Sequence, residues 1–234
     1  GDHRDLHSFP PRRSSDLTHY PLDPKDEIAI MDEERTKFPE EDKLVSPDYM
    51  KEILAEITTQ ARLSSEINQR SGVSVRVSIS NFETMLGNAV RRGIRNKEEW
   101  ACPRVSDLSF IAASFAGKIE LETFEEGRES RLTDDLTRRA VLRTFGSYFE
   151  VDDLEAIVDS FDLGNRAETG SDLAAAGYPD LVKNIDGLDK AVKKLTKDKR
   201  PEVIASAVEF ILEGLHLSRK LNCDRSGEAA VYKR

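Results

Sequence analysis

The chain has 234 residues and a mass of 26.3 kDa, enough for one large domain or two modest ones around an apolar core. With 38% apolar and 34% charged residues, it contains nothing approaching eighteen uninterrupted apolar positions, so the sequence excludes a helical membrane span. A net charge of −9 and a pI near 5.1 argue against non-specific nucleic-acid binding, which needs a basic surface. Cys102 and Cys223 are too few for a disulfide framework, have no metal-ligand spacing, and read as inert thiols. The expectation is an acidic, soluble, cytoplasmic protein with neither a nucleic-acid nor a membrane partner.

Residues 1–17 have no apolar h-region and no transit-peptide character. They resemble the straight-through translation of a sequencing adapter, departing from it only at Pro11, where threonine is expected. This segment is therefore expected to be an artefact without structure, and the native N-terminus to be missing. From Thr18 onward the periodicity predicts helices. One is expected from about Pro24 to Phe38 with Ile28 and Met31 inward and Asp26, Glu27, Glu33, Glu34 and Lys37 outward. Ser46-Pro47-Asp48 reads as an N-cap, a proline at the first helical position and an acid in the first turn. The helix that follows carries Met50, Ile53, Leu54, Ile57 and Ala61 on one face.

After Gly72, Val75, Ile79, Phe82, Leu86 and Val90 recur at helical steps, and Arg91, Arg92 and Arg95 suit the negative pole at that helix's end. Ser106-Asp107 is expected to cap a shorter helix with Leu108, Ile111, Ala112 and Phe115. A polar stretch from Glu120 to Ser130 separates a first block, 18–122, from a second, 123–234. The second block carries helices near 131–149, 151–160 and 200–221, the last opened by Pro201, with shorter pieces around 170–196. No alternating series that would build a sheet is apparent. The predicted class is all-α, in two helical blocks.

Several signatures of chemistry are missing. There is no G-x-x-x-x-G-K-[ST] loop, no G-x-G-x-x-G, no H-E-x-x-H and no C-x-x-C. His19 and His216 lack ligand partners at helical spacing and read as surface or cap residues. The run Ile28-Ala29-Ile30-Met31-Asp32-Glu33 resembles a Walker B strand, but without a phosphate loop upstream an amphipathic helix is the better reading. Gly72-Val73-Ser74-Val75-Arg76-Val77-Ser78 is more informative. Gly72 permits a tight approach, Ser74 can cap a helix, and Arg76 then falls in the first turn, where the positive pole repels cations. Two explanations stand: an anion such as phosphate bound there by backbone N–H groups and guanidinium together, or a surface arginine paired to a carboxylate such as Glu66.

Four segments resemble one group of AAA+ ATPases: Thr18-His19-Tyr20-Pro21, Ser46-Pro47-Asp48-Tyr49-Met50, the run Asn68 to Ser78, and Pro103-Arg104-Val105-Ser106-Asp107-Leu108. These ATPases are the magnesium-chelatase ATPase-subunit-like and MoxR-type proteins. The likeness covers most of residues 18–122 and continues more loosely through 208–217. It implies a helical AAA+ lid followed by a C-terminal extension, with Arg76 as the sensor 2 residue that touches the nucleotide γ-phosphate and Ser74 and Gly72 beside it. It also implies ATP and Mg²⁺ as cofactors of the full protein, bound only weakly if at all by this chain. The implied partners are the missing α/β core, neighbouring ring subunits and an adhesion-type-domain protein that the ATPase remodels. The chain departs from the family in having no phosphate loop, Walker B, sensor 1 or arginine finger, so it is expected to be inactive alone. The rival readings are a non-enzymatic helical interaction module, and the lid of an enhancer-binding activator. The second of these is disfavoured by the lack of a recognisable helix-turn-helix and of a strongly basic C-terminal face.

Overall fold

The computed structural model describes residue 21 and residues 23–68, 70–115, 117–122 and 127–234. The adapter-like residues 1–17, Thr18 to Tyr20 and Gln69 lie outside the described residues. The chain opens with α1 (Pro24–Glu34), started by Asp23, whose carboxylate accepts from Lys25 N–H at 2.9 Å, and by Pro24 in the first turn. Met31 is buried and Ile28 half-buried, but Glu27 is buried as well, contrary to the outward position its spacing suggested. The reason is a bidentate pairing with Arg62, at 2.9 and 3.0 Å, which hydropathy cannot anticipate. The helix also stops four residues short of Phe38.

α2 (Asp48–Leu63) starts one residue later than expected. Pro47, not Ser46, is its N-cap, and no side chain caps it. Met50, Ile53, Leu54, Ile57 and Ala61 are all fully buried, as their spacing predicts. α3 (Val75–Asn96) is rotated from the predicted stripe. Val75, Ile79 and Val90 are only half-buried, whereas Val77, Ser78, Asn81, Met85, Asn88 and Arg92 join Phe82 and Leu86 inside. The buried polar residues of this face reach distant partners: Asn81 Oδ1 accepts from Ser114, and Asn88 and Arg92 donate to Asp107. Ser106 does not cap a helix. A 3₁₀ turn over Val105–Phe110 leads into α4 (Ile111–Phe115), and Asp107 accepts from Arg104 N–H at 2.8 Å.

The remainder contains α5 (Arg128–Tyr148), α6 (Glu155–Asp162), α7 (Tyr178–Asn184), α8 (Leu188–Leu195) and α9 (Pro201–Leu217). The all-α expectation needs one correction: the chain is mostly helical but carries a small sheet. β1 (Ala167–Gly170), β2 (Asn222–Ser226) and β3 (Ala229–Lys233) form an antiparallel sheet in the order β1-β3-β2, with Ala167 opposite Tyr232 and Cys223 opposite Tyr232 on the other side. The hairpin turns on Gly227-Glu228, with Gly227 at φ 59°, and β3 alternates half-buried and buried positions, Ala230 and Tyr232 facing in. One continuous apolar cluster runs from Met31 and α2 through α5 to α9 and the sheet. At its centre Tyr49 of α2 stacks on Phe210 of α9 at 4.6 Å and donates to Ser206 at 2.8 Å. Among the described residues, no helix is long and apolar enough to cross a membrane.

Candidate functional site

The segment before α3 is built to present the start of that helix. Gly72 takes a left-handed conformation, φ 66°, which lets the chain turn sharply where a side chain would be strained. Its N–H donates to Asn68 carbonyl at 3.2 Å. Val73 is buried and anchors the loop. Ser74 is the N-cap, extended at φ −72° and ψ 151°, and its Oγ accepts from Arg76 N–H at 3.3 Å. The loop is also tied to residues 117–122, through an Ile67–Leu121 bridge and Asn68 N–H to Glu120 carbonyl at 2.7 Å.

Arg76 is exposed in the first turn, which holds no acidic residue. Among the described residues it forms no ion pair. Glu66, the carboxylate that would neutralise it as a surface arginine, is engaged by Arg128 at 3.3 Å. A cation at the positive pole of a 22-residue helix costs about 0.3–1 kcal/mol where nothing offsets it. The first turn therefore carries an exposed guanidinium at the positive pole of the helix, while its Arg76 and Val77 N–H groups are held by the Ser74 Oγ and carbonyl. This is an open surface and not a cavity. Two clefts of about 280 Å³ each lie elsewhere: one between α5, α9 and the hairpin, one beside Pro47 and Tyr148. Among the described residues no three His, Cys, Asp or Glu side chains stand close enough to share a metal ion. A phosphate at Arg76 would meet an exposed guanidinium, and a Mg²⁺ accompanying it would need ligands from elsewhere.

Sequence reasoning missed a large buried polar assembly. Arg92, placed at the helix end to suit its dipole, is buried and bound to Asp107 at 2.9 Å and Glu98 at 3.0 Å. Arg104 is buried too, reaching Glu98 at 2.8 Å and the Leu173 carbonyl at 2.9 Å, with its guanidinium over the Tyr178 ring. Tyr178 donates to Glu209 at 2.6 Å, and Glu209 also accepts from Ser106 N–H at 3.0 Å. The cluster joins the C-terminal end of α3, the 3₁₀ turn, residues 171–175 and α9. Pro103-Arg104-Val105-Ser106-Asp107 was visible as a motif, but nothing local marks its charges as internal. His216 is a helix-end residue, its Nδ1–H donating to Leu221 carbonyl at 3.0 Å.

Cys102 is fully buried beside this cluster, and burial pushes its thiol up to about 12. A folded-state value above the unfolded one means stability that is intact below the ordinary thiol range and lost as pH rises from about 9 toward 12. The thiolate is also the reactive form. An aromatic disulfide reagent at pH 8 is therefore expected to leave Cys102 untouched in the folded chain and to modify it only in denaturant, while half-buried Cys223 reacts first. Mass spectrometry of the modified residues checks this, and early labelling of Cys102 would contradict its burial. No family model matches this chain, and searches of curated proteins and of solved structures returned no match.

Proposed function

We propose that the chain is the nucleotide-sensing lid and C-terminal extension of a cytoplasmic AAA+ ATPase of the magnesium-chelatase-like, MoxR-type group, which couples ATP hydrolysis to remodelling of a partner protein. The observation that carries this reading is the exposed Arg76, which forms no ion pair among the described residues, at a Ser74-capped helix start. Arg76 takes the sensor 2 role and contacts the terminal phosphate; Ser74 and Gly72 shape the approach. ATP, with its Mg²⁺, would be held mainly by an α/β core, and the chemistry it supplies is phosphoanhydride hydrolysis. The chain's own task is to hold a phosphate at Arg76 and convert its loss into movement. A charge-assisted hydrogen bond of this kind is worth about 1.5–3 kcal/mol, enough to bias a lid between two orientations.

α3 supports the second half of that task. Its 22 residues span about 33 Å, and its far end is tied to the second block. There Arg95 and Asn96 donate to Ser171 carbonyl at 2.6 and 3.2 Å. A tilt at the Arg76 end would be delivered to residues 171–175 and α9. The decisive experiment is to read the source DNA upstream of the Thr18 codon from an independent sample. An open frame containing a phosphate loop and a Walker B strand is expected. In that longer protein Arg76→Ala should lower ATP turnover by about 10- to 100-fold, the kinetic equivalent of the lost contact. A start codon close by without such a loop would overturn the ATPase reading in favour of a helical interaction module. ATP turnover by the present chain that disappears in Arg76→Ala would instead overturn the expectation that this chain is inactive alone.

A further inference from the structure

The Val73 carbonyl, immediately before the Ser74 cap, accepts from Arg62 Nε at 3.1 Å. The other two guanidinium nitrogens of Arg62 reach Glu27 at 2.9 and 3.0 Å. Glu27 in turn accepts from the Ser78 hydroxyl, which lies 2.7 Å from the Thr58 hydroxyl. One buried carboxylate on α1, one arginine in the last turn of α2 and the carbonyl that leads into α3 thus form a single chain of contacts. We infer that Glu27 and Arg62 are a clamp that sets the orientation of the α3 start, which makes Arg62 a positioning residue for Arg76. The inference rests on the phosphate-sensing reading above.

Three features argue for positioning beyond mere packing. Glu27 is 1% exposed, and a buried ion pair is seldom the most stable way to fill such a space, since its desolvation offsets the attraction. The contact falls on the peptide between Val73 and Ser74, whose orientation fixes where the cap hydroxyl and the first turn point. Finally, the planar fork of arginine grips both oxygens of the Glu27 carboxylate while its Nε holds the Val73 carbonyl, a fixed geometry that the single ammonium of a lysine does not reproduce. Movement of α1 would then be transmitted to Arg76 through two side chains.

The test uses the chain itself, with amide hydrogen exchange by NMR and titration with inorganic tripolyphosphate as the probe. Arg62→Lys is expected to speed exchange of the Val77 and Ile79 amides at least tenfold, leaving Phe210 and Ile211 in α9 unchanged, and to weaken tripolyphosphate about five- to tenfold. Glu27→Gln should act in the same direction and substitutes if the lysine variant does not fold. Arg76→Ala should abolish binding with no effect on exchange. Unchanged exchange and affinity in both clamp variants would overturn the clamp even if wild type binds the anion through Arg76. Absence of any tripolyphosphate effect at Ser74–Arg76 in wild type would instead remove the phosphate reading, and with it the positioning role.

Discussion

Gly214→Ala is expected to be among the most damaging single-methyl changes in the chain. A β-carbon at Gly214 would lie 2.1 Å from Phe145 Cδ2, 2.3 Å from Cγ and 2.5 Å from Cε2. Phe145 is fully buried in α5 and cannot swing away, because Phe149 and Phe210 hold it at ring separations of 5.3 and 5.9 Å. Alanine is the better helix former by about 1 kcal/mol, but overpacking a tight core costs more than that, and a net loss of about 3 kcal/mol is expected. For a chain of this length that corresponds to roughly 6–12 °C in midpoint. Gly146, one residue along α5 from that ring, has nothing within 4 Å of its would-be β-carbon. Gly146→Ala should therefore gain about 0.5–1 kcal/mol. Urea midpoints of the two variants and wild type decide the matter. Equal stability of Gly214→Ala and wild type would mean that α5 and α9 do not meet through this glycine.

The contrast between α2 and α3 shows what a hydropathy pattern can and cannot carry. α2 buries Met50, Ile53, Leu54, Ile57 and Ala61 because apolar residues alone define its inner face. On α3 the inner face includes Ser78, Asn81, Asn88 and Arg92. Their partners Glu27, Ser114 and Asp107 lie 51, 33 and 15 to 19 residues away. Burial there depends on tertiary pairing, which has no period, so the stripe read from Val75, Ile79 and Val90 was rotated away from the true core. The sheet escaped for a related reason. β2 is exposed along nearly its whole length, and β3 has only Val231 and Tyr232 as strong strand formers; the legible cue was Ser226-Gly227 at the turn. The start of α3 was readable because capping is local: Gly72, Ser74 and Arg76 fall within five positions. The clamp behind it was not, since Glu27 and Arg62 are joined only by the fold.

Glu98→Ala is expected to cost about 3–5 kcal/mol, the range for removing one partner of a buried ion pair. Glu98 serves three donors: Arg92 at 3.0 Å, Arg104 at 2.8 Å and Ala175 N–H at 2.8 Å. Both arginine side chains are at most 1% exposed, so neither can recover its charge solvation without opening the protein. Arg104 already carries a buried Nε with no acceptor among the described residues, so loss of Glu98 would add to an existing deficit. Asp107 cannot substitute, because Arg92, Asn88 and Arg104 N–H already occupy it. The Lys193–Asp189 pair on α8 offers the comparison: at 2.6 Å it is shorter, yet its side chains are 72% and 59% exposed, and Lys193→Ala should change stability by under about 0.5 kcal/mol. Urea unfolding measures both. A double-mutant cycle of Glu98→Ala with Arg92→Met should return a coupling of at least about 1 kcal/mol, as expected for groups in one network. A loss below 1 kcal/mol in Glu98→Ala would mean that water reaches Arg92 and Arg104 in the folded chain. The tie between the far end of α3 and residues 171–175 would then be too loose to carry a movement that begins at Arg76.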